Sequence, residues 1–474
     1  MATSIRQRPL FSGSDIPVPV GHDIIFALTN TNVIQNQVEV KFVARVHISS
    51  GQPPNMSTTD DLVGTFRSVP NNKGIAIFNF RDIIESFVSA DHTTAFRALV
   101  KGEADTNKEG DKYPIHMIDK WSRNRNLARY FSVEFCVEFL DTTSGIIIEQ
   151  DFRNSANHII FNGYVLNDAY YQIGGPYGNS FGFRMNQTPN NYVLGSGVDS
   201  KFLTNMQPTQ YVNKDDYSTL TLFRGTDINT ISIRYKRYSA GFTTISYGTS
   251  SANGLGTQGT NIQRQMAYLG VGPANIRQHD STFGTHLDNG DIEYYEVHAR
   301  DASNNQISQK ITYYINCPTL KGYEPIRLCW LNQWGGWDYY TFTLKSSKTF
   351  STSGSTYNQL GGSWDGEAYK LNSYKGGKKT FRVNTVEKIT MNTDYITEKE
   401  GKAFEFLINS PEVMLLSGYQ DESSLEFNRN ANNEYVRPVR LSTKSITRKT
   451  IANDNLIQFT FEIELTKTLR TQSV

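Results

Sequence analysis

Three of the five tryptophans, Trp330, Trp334 and Trp337, fall within eight residues, and Trp364 follows shortly after. Rings gathered this closely can pack together as the anchor of a core, or stand open as platforms for the apolar faces of sugar rings. Trp330, Trp334, Trp337, Tyr339 and Trp364 are the candidates, as core anchors on the first reading and as glycan-stacking rings on the second. A polar cluster from His279 to Asp291 holds two histidines and three aspartates, donors of the kind zinc and calcium take. Asp288-Asn-Gly-Asp291, however, reads as a tight type I′ turn and accounts for half of those groups, so no metal site is predicted. Lys375-Gly-Gly-Lys-Lys-Thr380 lacks the upstream glycine of a phosphate loop and reads as a solvated hairpin. No H-E-x-x-H motif occurs, and nothing singles out a carboxylate pair for glycoside hydrolysis. The sequence therefore predicts no catalytic residue, no cofactor and no enzyme.

The elements that must position these groups are strands. Tyr 26 and Phe 27, with abundant Thr, Ser, Asn and Gly, make the composition of a β-rich protein. Lys+Arg 47 against Asp+Glu 46 leaves a net charge of +1, which argues against nucleic acid as a partner. Cys136, Cys317 and Cys329 are an odd, widely spaced set with no C-x-x-C pair, which suits assembly in a reducing cytoplasm. No apolar leader opens the chain and no run of 18 apolar residues occurs, so neither secretion through a signal peptide nor a membrane span is predicted.

Taken in order, residues 1–22 carry Pro9, Pro17 and Pro19 and read as an extended arm outside any core, with Arg6, Arg8, Pro9, Leu10 and Phe11 as candidate contacts to a neighbouring subunit. Residues 23–165 read as a β-sandwich with one short helix after Arg81. Its clearest strand is Tyr130–Leu140, where Phe131, Val133, Phe135, Val137 and Phe139 face one way and Cys136 sits inert on the outer face. Residues 166–206 are an irregular connection, and 207–318 a second, fibronectin-like sandwich. Asp91–Lys120 and Gly248–Thr260 read as long loops. The third domain, 319–474, opens on the tryptophan hairpin. There Gly335 and Gly336 allow the chain to reverse, and Asp338 is placed to cap free backbone N–H groups. A Gly/Ser/Tyr-rich connection (Ser351–Gly377), a helix near Thr397–Leu407 and further strands follow. The fold class predicted is mainly β: serial β-sandwich domains with one or two short inserted helices.

The succession Phe202-Leu-Thr-Asn-Met-Gln-Pro208, Leu269-Gly-Val-Gly-Pro-Ala-Asn-Ile276, Ile292-Glu-Tyr-Tyr-Glu-Val-His298 and Arg327-Leu-Cys-Trp-Leu-Asn-Gln-Trp-Gly-Gly-Trp-Asp-Tyr-Tyr-Thr-Phe342 resembles a family of virion structural proteins. These belong to tailed bacteriophages and prophages, notably of marine and Bacteroidetes-type hosts. The resemblance runs from about Ala156 to the C-terminus. It implies a place in the virion tail or baseplate, assembly in the host cytoplasm, a symmetric homo-oligomer and contacts with other tail proteins. It offers no catalytic residues to carry over. A receptor-binding tail-tip or fibre protein that recognises a host glycan is the alternative, and a glycan-degrading tail enzyme a third reading without visible β-helical repeats.

Overall fold

The computed structural model describes residues 3–9, 17–21, 23–56, 61–93, 114–164, 192–195, 198–225, 228–248, 265–316, 322–417, 436–447, 457–466 and 469–470. The architecture is mainly β, as predicted, with only short helices among the described residues. By contact density the chain forms two compact units: Met1–Asn316, Leu331–Tyr339 and Gly418–Asn428 make one, and Cys317–Trp330, Tyr340–Ser417 and Arg429–Val474 the other.

Within the first unit, one sandwich packs a three-stranded sheet (Ser4–Gln7, Ile25–Thr29, Ala76–Asn79) against a six-stranded one built around Val38–Ser49 and Ala128–Leu140. Phe26, Leu28 and Phe78 from the first sheet meet Phe42, Val46, Phe131 and Phe135 from the second in one continuous core. Each such side chain contributes roughly 1.5–3 kcal/mol by leaving water. Alternation in Ala128–Leu140 places its phenylalanines in that core as expected. Cys136 departs from the expectation, because the opposite face of the strand is also buried. Arg45 reaches over it to Glu134 (3.1 Å) and Glu149 (2.5 Å), and Arg67 to Glu138 (2.8 Å). Burial under this ionic cover pushes the Cys136 thiol up to about 12.

The arm expected outside the core is corrected. Ser4–Gln7 pairs antiparallel with Ile25–Thr29, and Pro17–Pro19 lies parallel to His158–Phe161, with Val18 and Val20 buried. Proline is tolerated there because the short strand lies at the end of its sheet. Arg6 and Arg8 are exposed and Pro9 is buried; Leu10 and Phe11 lie outside the described residues.

The second sandwich has sheets of four and five strands closing over Leu220, Leu222, Ile231, Tyr235, Tyr295 and Tyr313. Its four-stranded sheet includes Trp121–Arg123, and Trp121 belongs to this core. The two N-terminal sandwiches are thus interlocked, because a strand from the sequence expected in the first completes a sheet of the second. Two of its pairings are parallel, Thr209–Asn213 with Ile311–Asn316 and Val193–Leu194 with Thr219–Arg224, unlike the fibronectin-like pattern expected. Two helices, Pro273–His279 and Ser281–Asp288, cover one end of this core through Ile276, Phe283 and Leu287. The loops expected at Asp91–Lys120 and Gly248–Thr260 fall largely outside the described residues. Of the first, Ile115–Met117 is a buried 3₁₀ turn.

The second unit is built on an antiparallel sheet in the order Ile326–Leu331, Val413–Leu416, Val436–Leu441, Thr460–Leu465, Gly377–Asn392, Ser346–Gln359. Helix Glu398–Asn409 starts in a capping box formed by Thr397 and Glu400 and lays Phe404 against Trp330, Phe459 and Phe461. The connection expected at Ser351–Gly377 is instead a long ribbon. Ser346–Gln359 pairs over its whole length with Gly377–Asn392, and a small hairpin, Gly362–Trp364 with Tyr369–Leu371, forms its tip.

Candidate functional site

The tryptophan hairpin turns on Asn332. Its side-chain oxygen accepts from Trp334 N (2.9 Å) and Gly336 N (3.1 Å), closing the reversal from inside. Gly335 takes φ +70°, and a Cβ there would stand 2.0 Å from the Asn162 carbonyl oxygen. A Cβ on Gly336 would meet Thr221 Oγ1 at 2.2 Å. One glycine supplies the turn and both supply close approach, so neither tolerates a side chain.

The cap predicted for Asp338 acts elsewhere than on its own turn, because Asn332 already occupies that role. Asp338 accepts from Asn205 N (3.0 Å), Thr204 Oγ1 (2.5 Å) and Asn332 Nδ2 (3.0 Å), and so ties the hairpin to the segment before the second sandwich. It is buried with no cation among these partners. Desolvation lifts its carboxyl to about 6, against hydrogen bonds from Thr204, Asn332 and Asn205 that act the other way.

The candidate rings divide sharply. Trp330, Trp334, Trp337 and Tyr339 are 0, 3, 1 and 4% exposed, so these four are core anchors and present no face to a ligand. Trp337 donates Nε1–H to the Asp91 carbonyl (3.1 Å) and takes the His116 ring edge-on at 4.8 Å. The Tyr339 hydroxyl stands 2.8 Å from His116 Nδ1 and 2.7 Å from Thr219 Oγ1. Trp334 lies against Tyr192 (4.2 Å) and Phe161 (6.3 Å). Trp330, four residues earlier, belongs to the second unit's core instead. Trp364 alone of the five candidates is open, 67% exposed at the ribbon tip.

The His279–Asp291 cluster is consumed by local structure. Asp280 caps the helix Ser281–Asp288 through Phe283 N (2.7 Å), Asp288 pairs with Arg277 (2.5 Å), and His286 lies 3.3 Å from Asp291. The Tyr247 hydroxyl meets His279 Nε2 at 2.6 Å, and burial lowers that imidazole to about 4. The type I′ turn expected at Asp288–Asp291 is corrected to a helix end, with Gly290 at φ +67° after the last turn. Among the described residues no group of three or more His, Cys, Asp or Glu side chains is placed to hold a metal ion. A shallow cleft of about 650 Å³ in the second unit offers one carboxylate, Glu412, and two cations, Arg440 and Lys444.

Two surfaces that sequence reading missed gather exposed or half-buried aromatic groups. On the outer face of the five-stranded sheet, Tyr211, Tyr314, Tyr294 and Phe242 make a ladder across the strands, with successive ring centroids 5.6, 5.3 and 6.1 Å apart. Arg234 sits 3.8 Å over the Phe242 ring. On the ribbon, Phe350, Leu360, Trp364, Leu371 and Tyr374 are 61–82% exposed. The ladder's signal in the sequence was the outward parity of Tyr294 and Tyr314, whose neighbours Tyr295 and Tyr313 face the core. Compared with known proteins, the sequence matches no family model and no curated protein.

Proposed function

We infer that the chain is a structural subunit of a phage virion, of its tail or baseplate, that works by assembling into a symmetric oligomer and contacting neighbouring tail proteins. The observation that supports this most is where the reactive and aromatic groups go. Asp338, His279 and four of the five candidate rings are spent inside cores, whereas large apolar side chains stand open along a ribbon projecting from a sheet edge. Apolar groups left in water on a slender element suit a surface that is covered on assembly. The motif succession from Phe202 to Phe342 agrees in kind. The test is to purify particles from the producing host, identify their proteins by peptide mass spectrometry, and locate this chain with gold-labelled antibody. Label on the tail supports the reading, and absence of the chain from particles overturns it.

The aromatic ladder favours a second reading, recognition of a host-surface glycan, since rings spaced 5–6 Å apart on an open sheet can stack successive sugars. Binding of host envelope polysaccharide that is lost in Tyr314→Ala supports it, and no binding by the intact chain removes it.

A further inference from the structure

We propose that the ribbon is a self-association element: Ser346–Gln359 pairs edge to edge with the same strand of a second copy, antiparallel about a two-fold axis at Gly354. The proposal rests on the reading of the chain as an assembling subunit and names the surface that assembles.

Ser346–Gln359 is the last strand of its sheet, and among the described residues nothing pairs with its outer edge. A bare edge offers a row of backbone donors and acceptors, and folded proteins defend such edges with charges, prolines or short length. In its central run charge and proline are both absent, and the one departure from regularity is a register shift between Ser355 and Thr356. From Thr349 to Gln359 the strand runs eleven residues with no charge and no proline. All of them are exposed except the half-buried Tyr357 and Gln359. The one charge in the strand, Lys348, lies before this run and is held by Glu324 at 2.7 Å. An eleven-residue antiparallel overlap would make about eleven backbone hydrogen bonds, comparable with the roughly ten direct bonds of a whole standard interface.

Two features favour a second copy over an unrelated strand. An uncharged edge meets itself without repulsion. Antiparallel pairing about Gly354 sets Thr352 opposite Thr356 of the other copy and Phe350 diagonal to its Leu360, so two side chains now 61 and 76% exposed come within reach of each other.

The experiment is light scattering of the full chain across a concentration series, with two double variants. Thr352→Lys/Thr356→Lys and Thr352→Glu/Thr356→Glu each place like charges across the proposed axis. Within the ribbon both positions face threonines, Thr385 and Thr380, so each variant keeps its own hairpin. The wild type is expected to associate, each variant alone to associate roughly tenfold or more weakly, and an equimolar mixture of the two to recover. Circular dichroism and melting of each variant check that the fold is kept. A wild type that stays monomeric up to about 100 μM overturns the proposal. So does association that neither variant weakens, which would assign assembly to another surface. Neither outcome touches the particle analysis above, which can fail or succeed on its own.

Discussion

Two aromatic hairpins among the described residues have opposite fates. At Leu331–Tyr339 the rings are sunk in a core, fixed by hydrogen bonds to residues more than 100 positions away. In the ribbon the rings stand in water, and the long-range bonds are those of two strands to each other. Ring type does not decide burial; the elements arriving from elsewhere do. Asp91, His116 and Thr219 close over Trp337 and Tyr339, while Ser and Thr on both faces of the ribbon leave nothing to close against. An isolated two-stranded ribbon is marginally stable in water, so the second hairpin depends on its base in the sheet.

The comparison breaks first at Trp337. Trp337→Ala removes a fully buried ring and its bond to Asp91, and should lower the stability of the first unit by about 3–5 kcal/mol in denaturant unfolding. The next effect is Asp338. Its folded carboxyl titrates near 6 and its unfolded one near 3.8, so folding favours the proton. The stabilisation from that proton is complete below 3.8 and lost as the pH rises through 6, a swing of about 3 kcal/mol. His279, lowered to about 4, acts in the opposite sense across an overlapping window, so the effect must be read as wild type minus Asp338→Asn. That difference should grow as the pH falls from 7 to 4. The amide variant should also be about 1–3 kcal/mol less stable at acid pH, since it turns a donor toward the Asn205 N–H. Trp364→Ala should change stability by no more than about 0.5 kcal/mol in the same assay. Smallest of all, Cys136 and Cys329 should resist iodoacetamide at pH 8 in the native protein and react once unfolded, followed by mass spectrometry. Both are buried with their thiols pushed upward.

How far the sequence carried depended on whether one face of an element met a core. Ala128–Leu140 and the helix Glu398–Asn409, with Thr397 and Glu400 as its start signal, were readable because one-sided burial writes a period into the residues. The ribbon strand Ser346–Gln359 has two wet faces, so no alternation marked it and its Ser, Thr and Gly resembled a connection. The helices Thr31–Asn36, Pro273–His279 and Ser281–Asp288 are too short for periodicity to show, although Asn30, Pro273 and Asp280 stand where helix starts are expected. At the candidate site the five aromatic positions were found but not sorted. Trp337 and Trp364 carry the same ring, and what separates them is Asp91 and His116, whose approach no local pattern announces.

That approach also sets a timetable for the ribosome. The Asp91 carbonyl waits 246 residues for the Trp337 indole, and His116 waits 223 for the Tyr339 hydroxyl. At the roughly 5–20 residues per second of synthesis, these two partners arrive tens of seconds after the strands they join. Throughout that interval the two large rings that belong to the first unit's core have not yet been synthesised. That core closes only when a segment made after residue 316 threads back into the part of the chain made first.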